Sequence, residues 1–330
     1  MLVARNPRDC GAYGEIKLFA GTGNPELAAN IAQYLGLPLS GRDVTLFPND
    51  NLFIKLHQSV RGQDVYLIQS TSRPVHRNLM ELLITLQTLR LDSAGRVTAV
   101  IPYLCYARSD KKDKPRVPIT ARLVADMIEI AGADRYMTLD LHAGQIQGFF
   151  SIPGDVLTAF YILTDHVKNI LPTLRDPVVV AADLGFAKKG RNFAATIDAS
   201  MAFVEKRRGD PDSRPVALTL IGNVEGRDVI VVDDEVDTGG SISQAVQLVK
   251  DSGARNIYAV FVHPVFSDPA LERLAALPLT GIITTDTIPI PAEKRARLGN
   301  RLIILSVAPL LGEVIRRAHE GRSVGEMFNE

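Results

Sequence analysis

Residues 229–241 read Val-Ile-Val-Val-Asp-Asp-Glu-Val-Asp-Thr-Gly-Gly-Ser, an apolar run that empties into Asp233, Asp234, Glu235 and Asp237. Apolar residues at helical spacing follow at once (Ile242, Ala245, Val246, Leu248, Val249). The pattern predicts a buried parallel strand, a turn at its carboxyl end and the first turn of a helix. Amides at a helix start lack partners within the helix, and glycines permit close approach, so Thr238, Gly239, Gly240 and Ser241 can cradle a phosphate. The carboxylates just upstream would repel a phosphate. They suit the hydroxyls of a sugar or the shell of a hard cation such as Mg²⁺. One segment thus describes a phosphorylated sugar. The plainer alternative is an acidic turn capped by Thr238 or Ser241. Two adjacent Asp directly behind a strand weigh against it, because open α/β sheets bind ligands at the carboxyl ends of their strands.

Other strand ends carry chemistry too. After Ile101-Pro-Tyr-Leu-Cys-Tyr-Ala come Arg108, Ser109, Asp110, Lys111, Lys112 and Lys114, with Tyr103 and Tyr106 among them. Read alone this is a solvated charge run. Aromatic rings beside Arg at a strand end also suit a stacked base and a polyphosphate. His142 follows Leu139-Asp-Leu, flanked by Asp140 and the small Ala143-Gly144 pair, and imidazole can ligate a divalent metal or bind phosphate when charged. Asp183 ends Pro177-Val-Val-Val-Ala-Ala. Lys206, Arg207 and Arg208 stand in a polar stretch that reads as an ordinary hairpin tip when taken alone.

The elements that must position these residues alternate. Strands are expected over 16–20, 64–69, 96–102, 135–141, 177–182, 201–204, 216–221, 228–232, 256–262, 281–284 and 301–306. Helices are expected over 25–35, 77–92, 119–131, 156–170, 190–197, 241–252 and 308–320. Alternation of this kind argues for an α/β protein with mainly parallel sheets flanked by helices. Asp92-Ser-Ala-Gly-Arg96 and Asp251-Ser-Gly-Ala-Arg255 each join a helix to a strand, a hint of two related halves, and the seam is expected near Pro153-Gly154. The 330 residues are enough for two domains. Apolar residues at 46% and a net charge of zero describe a globular chain with no global field toward nucleic acid or membrane. Two cysteines, Cys10 and Cys105, make no disulfide framework, and the expected compartment is the cytoplasm.

Together the Leu139-Asp-Leu-His-Ala-Gly-Gln-Ile-Gln-Gly-Phe-Phe segment, the Tyr-Ala-Arg108 loop with Pro-Ile-Thr120, the Lys206-Arg-Arg loop and the Asp-Asp-x-x-Asp-Thr-Gly-Gly-Ser loop resemble ribose-phosphate diphosphokinase, the phosphoribosyl pyrophosphate synthetase family. Val60-Arg-Gly-Gln-Asp-Val and Asn78-Leu-Met-Glu-Leu fit as well, and the resemblance runs from about Ile16 to the end. It implies two phosphoribosyltransferase-like domains, over 16–154 and 155–330, behind an arm of residues 1–15, with the last helix packing back on the first domain. It also implies Mg²⁺-dependent transfer of the diphosphoryl group of ATP to C1–OH of ribose 5-phosphate, releasing AMP, by a homohexamer. In that reading Asp233 and Asp234 hold ribose hydroxyls, and Asp237, Thr238, Gly239, Gly240 and Ser241 hold the 5-phosphate. His142 and Asp183 bind the metal. Phe47, Asn49, Asn51, Arg108, Ser109 and Asp110 bind the nucleotide, while Lys206 and Arg208 close over the transferring group.

The departures gather around the nucleotide. Phe47-Pro-Asn-Asp-Asn51 stands where the family reads Phe-Ser-Asp-Gly-Glu, Ser109 replaces a Gln, and Leu184-Gly-Phe replaces a Gly-Gly-Val turn. Relaxed base choice is therefore expected, with sugar phosphate binding intact. Two other classes share parts of the pattern. A phosphoribosyltransferase has no need of the Arg108 and His142 motifs, and a non-catalytic regulatory homologue would lack the Lys-Arg-Arg loop.

Overall fold

Runs that are apolar on successive residues become interior strands here, since a strand covered by helices on both faces needs no polar side. The computed structural model describes residues 13–207 and 217–328, and the chain divides into two units. The first contains β1 (Ile16–Ala20), α1 (Pro25–Leu35), a hairpin of β2 (Arg42–Leu46) and β3 (Leu52–Leu56), β4 (Asp64–Ile68), α2 (Val75–Leu91), β5 (Arg96–Ile101), α3 (Thr120–Ala131), β6 (Arg135–Leu139) and β7 (Gly154–Leu157). Its sheet is parallel in the order β1-β4-β5-β6-β7, and the hairpin is a separate two-stranded sheet.

The second unit contains α4 (Phe160–Ile170), β8 (Val178–Ala181), α5 (Ala187–Thr196), β9 (Ser200–Arg207), β10 (Ala217–Ile221), β11 (Val229–Glu235), α6 (Gly240–Asp251), β12 (Ile257–His263), α7 (Ala270–Ala276), β13 (Gly281–Thr285), α8 (Ala292–Leu298) and β14 (Leu302–Leu305). The order is β10-β9-β8-β11-β12-β13-β14, parallel except for the β9–β10 pair. A final helix, α9 (Ala308–Glu320), belongs to the first unit and packs on α1. No helix among the described residues is long and apolar enough to cross a membrane.

The order β8-β11-β12-β13-β14 repeats β1-β4-β5-β6-β7 strand for strand, with an antiparallel pair inserted after the first strand in each case. The two similar Asp-Ser-x-x-Arg segments have one job. Arg96 Nε and Nη2 reach Asp64 Oδ1 and Oδ2 at 2.7 and 2.6 Å, and Arg255 Nε and Nη2 reach Asp228 Oδ1 and Oδ2 at 2.7 and 2.5 Å. Each carboxylate sits fully buried at the foot of the neighbouring strand, and bidentate pairing of this kind fixes the register of the two. In the first unit, His319 Nδ1 on α9 joins the same carboxylate at 2.8 Å.

Several expectations change. The 42–46 and 52–56 strands had no signal, because Pro48 and the polar turn interrupt a short, half-exposed pattern. Residues 154–157 form an edge strand rather than the start of a helix. Gly154 is required there because a Cβ would lie 2.0 Å from the Tyr136 ring, so the expected seam falls inside the first sheet. The carboxylates of residues 233–235 belong to β11 itself, with Asp233 and Glu235 paired to Phe261 and His263. The seven-residue helices α7 and α8 were too short to register as a helical pattern.

Candidate functional site

In the second unit, β11 delivers its carboxylates already buried. Asp233, Asp234 and Glu235 are 8%, 5% and 6% exposed. Each of the first two accepts the next residue's amide, Asp234 N to Asp233 Oδ1 at 2.9 Å and Glu235 N to Asp234 Oδ1 at 2.8 Å. These bonds turn the side chains along the backbone as the strand ends. Burial pushes the Asp233 carboxyl well above the ordinary carboxylate range, and the charges of Asp234 and Asp183 push it further. Asp183, at the end of the adjacent β8, is thus electrostatically coupled to the same spot, with its Oδ1 accepting the Phe186 amide at 3.0 Å. Three acids from two neighbouring strands make an anionic cluster that a cation or hydroxyl donors would relieve.

The chain then turns through Asp237 and the exposed Thr238 to Gly239, which starts α6 in the left-handed conformation at φ 73°. A side chain at this φ is strained, which accounts for the glycine. Gly240, at an ordinary φ, opens the helix, and its N-cap Gly239 brings no capping side chain. Arg273 of α7 holds the Thr238 carbonyl at 2.9 Å, and the Val236 amide and carbonyl bond to His263 O and Phe266 N, both at 3.0 Å. The loop is thereby set as a backbone concavity at a helix start, directly beyond the acids, a geometry suited to a phosphate.

In the first unit the 102–110 loop lies over the start of α3. Thr71 joins it to the end of β4, with Thr71 N and Oγ1 donating to Tyr103 O at 3.0 and 2.8 Å and Cys105 N donating to Thr71 Oγ1 at 2.8 Å. Burial pushes the Cys105 thiol up to about 11, as befits an inert structural cysteine. Ser109 is engaged in structure: its Oγ accepts the Thr120 amide at 3.2 Å, and its carbonyl accepts the Ala121 amide at 3.1 Å, capping α3. Asp110 is buried and accepts from Gln145 Nε2, tying this loop to the turn after His142. Arg108 and His142 are solvent-exposed. Phe47, Asn49 and Asn51 are exposed on the hairpin turn, where Phe47 N meets Asn51 O at 2.9 Å and Asn51 N meets Asn49 Oδ1 at 3.3 Å.

The structure therefore gathers Asp183, Asp233, Asp234 and the 237–241 loop in one unit, and Arg108, Ser109, Asp110 and His142 on neighbouring strand ends of the other. Lys206 occupies a position of β9 paired with Leu218, on the strand rather than the loop, and Arg208 lies outside the described residues. Arg273 escaped the sequence reading. No spacing marks it, since it reaches the 237–241 loop from another helix.

A mainly parallel α/β sheet with acids at a strand end and a glycine-started helix beyond them defines an α/β protein with a ligand site at the carboxyl edge of its sheet. The N-terminal domain of ribose phosphate pyrophosphokinase matches residues 16–132, and the phosphoribosyl synthetase-associated domain matches residues 209–329. Ribose-phosphate pyrophosphokinase of Deinococcus radiodurans is 43% identical over 94% of this chain and 97% of its own. That of Caldanaerobacter subterraneus is 45% identical over 95% and 98%. The crystal structure of phosphoribosylpyrophosphate synthetase from Mycobacterium smegmatis matches with a TM-score of 0.88 at 39% identity, covering 93% of this chain and 99% of that one. The chain belongs to the ribose-phosphate pyrophosphokinase family and is an enzyme of that class.

Proposed function

We propose that the chain transfers the diphosphoryl group of ATP to ribose 5-phosphate, giving 5-phosphoribosyl 1-diphosphate and AMP. The ribose C1 oxygen attacks the β-phosphorus, the bond from that phosphorus to the bridging α,β oxygen breaks, and the hydroxyl proton is released. The observation that carries the reading is the buried Asp233-Asp234 pair running directly into the Gly239 start of α6. The acids accept hydrogen bonds from ribose hydroxyls, and residues 237–241 offer backbone amides to the 5-phosphate.

Mg²⁺ fits the donor set. Asp183 and the Asp233-Asp234 pair crowd like charges, and among the described residues no three His, Cys, Asp or Glu side chains form a complete metal cage. Mg²⁺ commonly uses one or two carboxylates and takes its other oxygens from phosphates and water. On the second unit Asp183 would offer a carboxylate to the ion, and on the first unit His142 is proposed separately as a metal ligand; the ion would supply charge neutralisation for the transferred phosphates. Arg108 would bind the nucleotide phosphates. Ser109 and Asp110 act by setting the loop that carries it, and Lys206 and Arg208 would stabilise the transferring group. Leu46, Phe47 and Phe53, 44–49% exposed on the hairpin, support assembly with further copies of the chain. The deciding experiment is AMP release from ATP. Release that requires both ribose 5-phosphate and Mg²⁺ supports the reading, and no release with all three present rejects it.

A further inference from the structure

We infer that the buried Arg42–Glu81 ion pair is a positioning element for the donor nucleotide, setting the hairpin whose turn carries Phe47, Asn49 and Asn51. The inference rests on the reading above that this turn meets the nucleotide. The two hairpin strands pair only with each other among the described residues. Ile54 is buried, Leu56 packs against the core, and β3 lies along α2, so apolar contact seats the hairpin on that helix. Arg42, at its base, adds directional bonds to that packing and so sets the hairpin's angle. Nε donates to Ala20 O at the end of β1 at 2.9 Å, Nη1 donates to Thr85 Oγ1 at 2.8 Å, and Nη2 pairs with Glu81 Oε1. The side chains of Arg42 and Glu81 are 5% and 1% exposed.

Glu81 is shared. Its carboxylate also accepts from Thr22, the amide at 2.9 Å and the hydroxyl through a short bond, which holds the turn between β1 and α1. Asn78, Glu81 and Thr85 lie at helical spacing on one buried face of α2, and Asn78 Nδ2 reaches back to Ser72 O at 2.8 Å. Gln69 spans the same layer, accepting from Gly23 N at 2.8 Å and donating to Asn78 O at 3.0 Å. A polar stripe inside a core is expensive unless satisfied. Here the satisfaction comes from loops and the hairpin, so α2 fixes the surface elements while its apolar residues fix the sheet. Phe47 is five residues beyond Arg42, about 17 Å along an extended strand. A tilt of a few degrees at the base therefore moves the turn by about 1 Å, and a misplacement of that size can cost up to about a hundredfold in rate.

The test separates the nucleotide from the sugar. Arg42→Met should raise KM for ATP about tenfold or more, leave KM for ribose 5-phosphate unchanged, and speed hydrogen exchange of the hairpin amides. Arg42→Lys, which keeps a charge near Glu81 but cannot make all three bonds, should recover part of the loss. A folded Arg42→Met enzyme with unchanged KM for ATP overturns the inference. Equal loss for both substrates also overturns it, because that marks the pair as general scaffold. Should Arg42→Met fail to fold, Arg42→Lys decides by the same split between substrates. Phe47→Ala and Asn51→Ala test the underlying reading separately. If neither changes KM for ATP, the hairpin does not meet the nucleotide and the inference falls with that reading. If they raise KM while the Arg42 variants do not, only the positioning inference fails.

Discussion

Asp233→Asn is expected to make the unliganded protein more stable while weakening sugar binding. Asp233 is 8% exposed and accepts the Asp234 amide at 2.9 Å, a bond that an Asn oxygen preserves. What the substitution removes is a charge that burial, then Asp234, then Asp183 all oppose. The folded carboxyl is raised above its unfolded value of about 3.9, so between those two values the native chain holds a proton that the unfolded chain has lost. This group's contribution to stability therefore falls as pH rises through that window and stays low above it. Each unit of elevation corresponds to about 1.4 kcal/mol. At neutral pH we expect a gain of at least about 1 kcal/mol, the lower bound for relieving a poorly compensated buried polar group. In a unit of this size that is a rise in Tm of about 2–4 °C. Ribose hydroxyls that bonded to a carboxylate would lose about 1.5–3 kcal/mol, raising KM for ribose 5-phosphate about tenfold or more. Thermal unfolding of both proteins from acid to neutral pH reads the first effect, and substrate kinetics reads the second. A variant no more stable at neutral pH, or one that declines with pH as steeply as the parent, would refute the reasoning.

Gly240→Val should raise KM for ribose 5-phosphate sharply with little loss of Tm. Its φ is ordinary, and a Cβ there would meet only Arg273 Nη1 at 3.5 Å and Thr238 Oγ1 at 3.9 Å, so unchanged affinity would remove residues 237–241 from the phosphate site. Ser109→Ala should lower stability by about 1 kcal/mol through loss of the α3 cap and raise KM for ATP modestly as the loop carrying Arg108 loosens; an unchanged KM would show that the hydroxyl does not set that loop. For Lys206→Ala the expected loss is about a hundredfold in turnover, as for other groups that stabilise developing charge, and weakened ATP binding at near-normal turnover would contradict the role. Asn49 and Asn51 can each present a donor or an acceptor, which narrows discrimination between bases by about one to two decades. Measurable use of GTP or CTP is therefore expected, and a preference for ATP above about a thousandfold rules it out.

The strand, turn and helix start proposed to hold the sugar phosphate were legible in the sequence because their parts are consecutive. A strand, its terminal acids, a glycine with positive φ and a helix start all fall within residues 229–241, and each follows from local periodicity or backbone freedom. The alternation of strands and helices, and with it the α/β class, was legible for the same reason. Pairing across the chain was not. Nothing in the sequence showed that the Ser109 hydroxyl would meet Thr120, and the hairpin under Phe47 had no pattern strong enough to announce a strand. Residues 154–157 showed an apolar pair that suits either a helix or an edge strand, and the Tyr136 ring against Gly154 decided for the strand. Burial raises the Asp233 carboxyl most, and the smaller push from Asp183 exists only because β8 pairs with β11. Arg273 and the Arg42–Glu81 pair likewise owe their roles to neighbours 35 and 39 residues away. Conformational preference belongs to a few adjacent residues and can be read from them. Desolvation, capping from a distance and the pairing of buried charges belong to the surroundings, which exist only once the sheets have set their register.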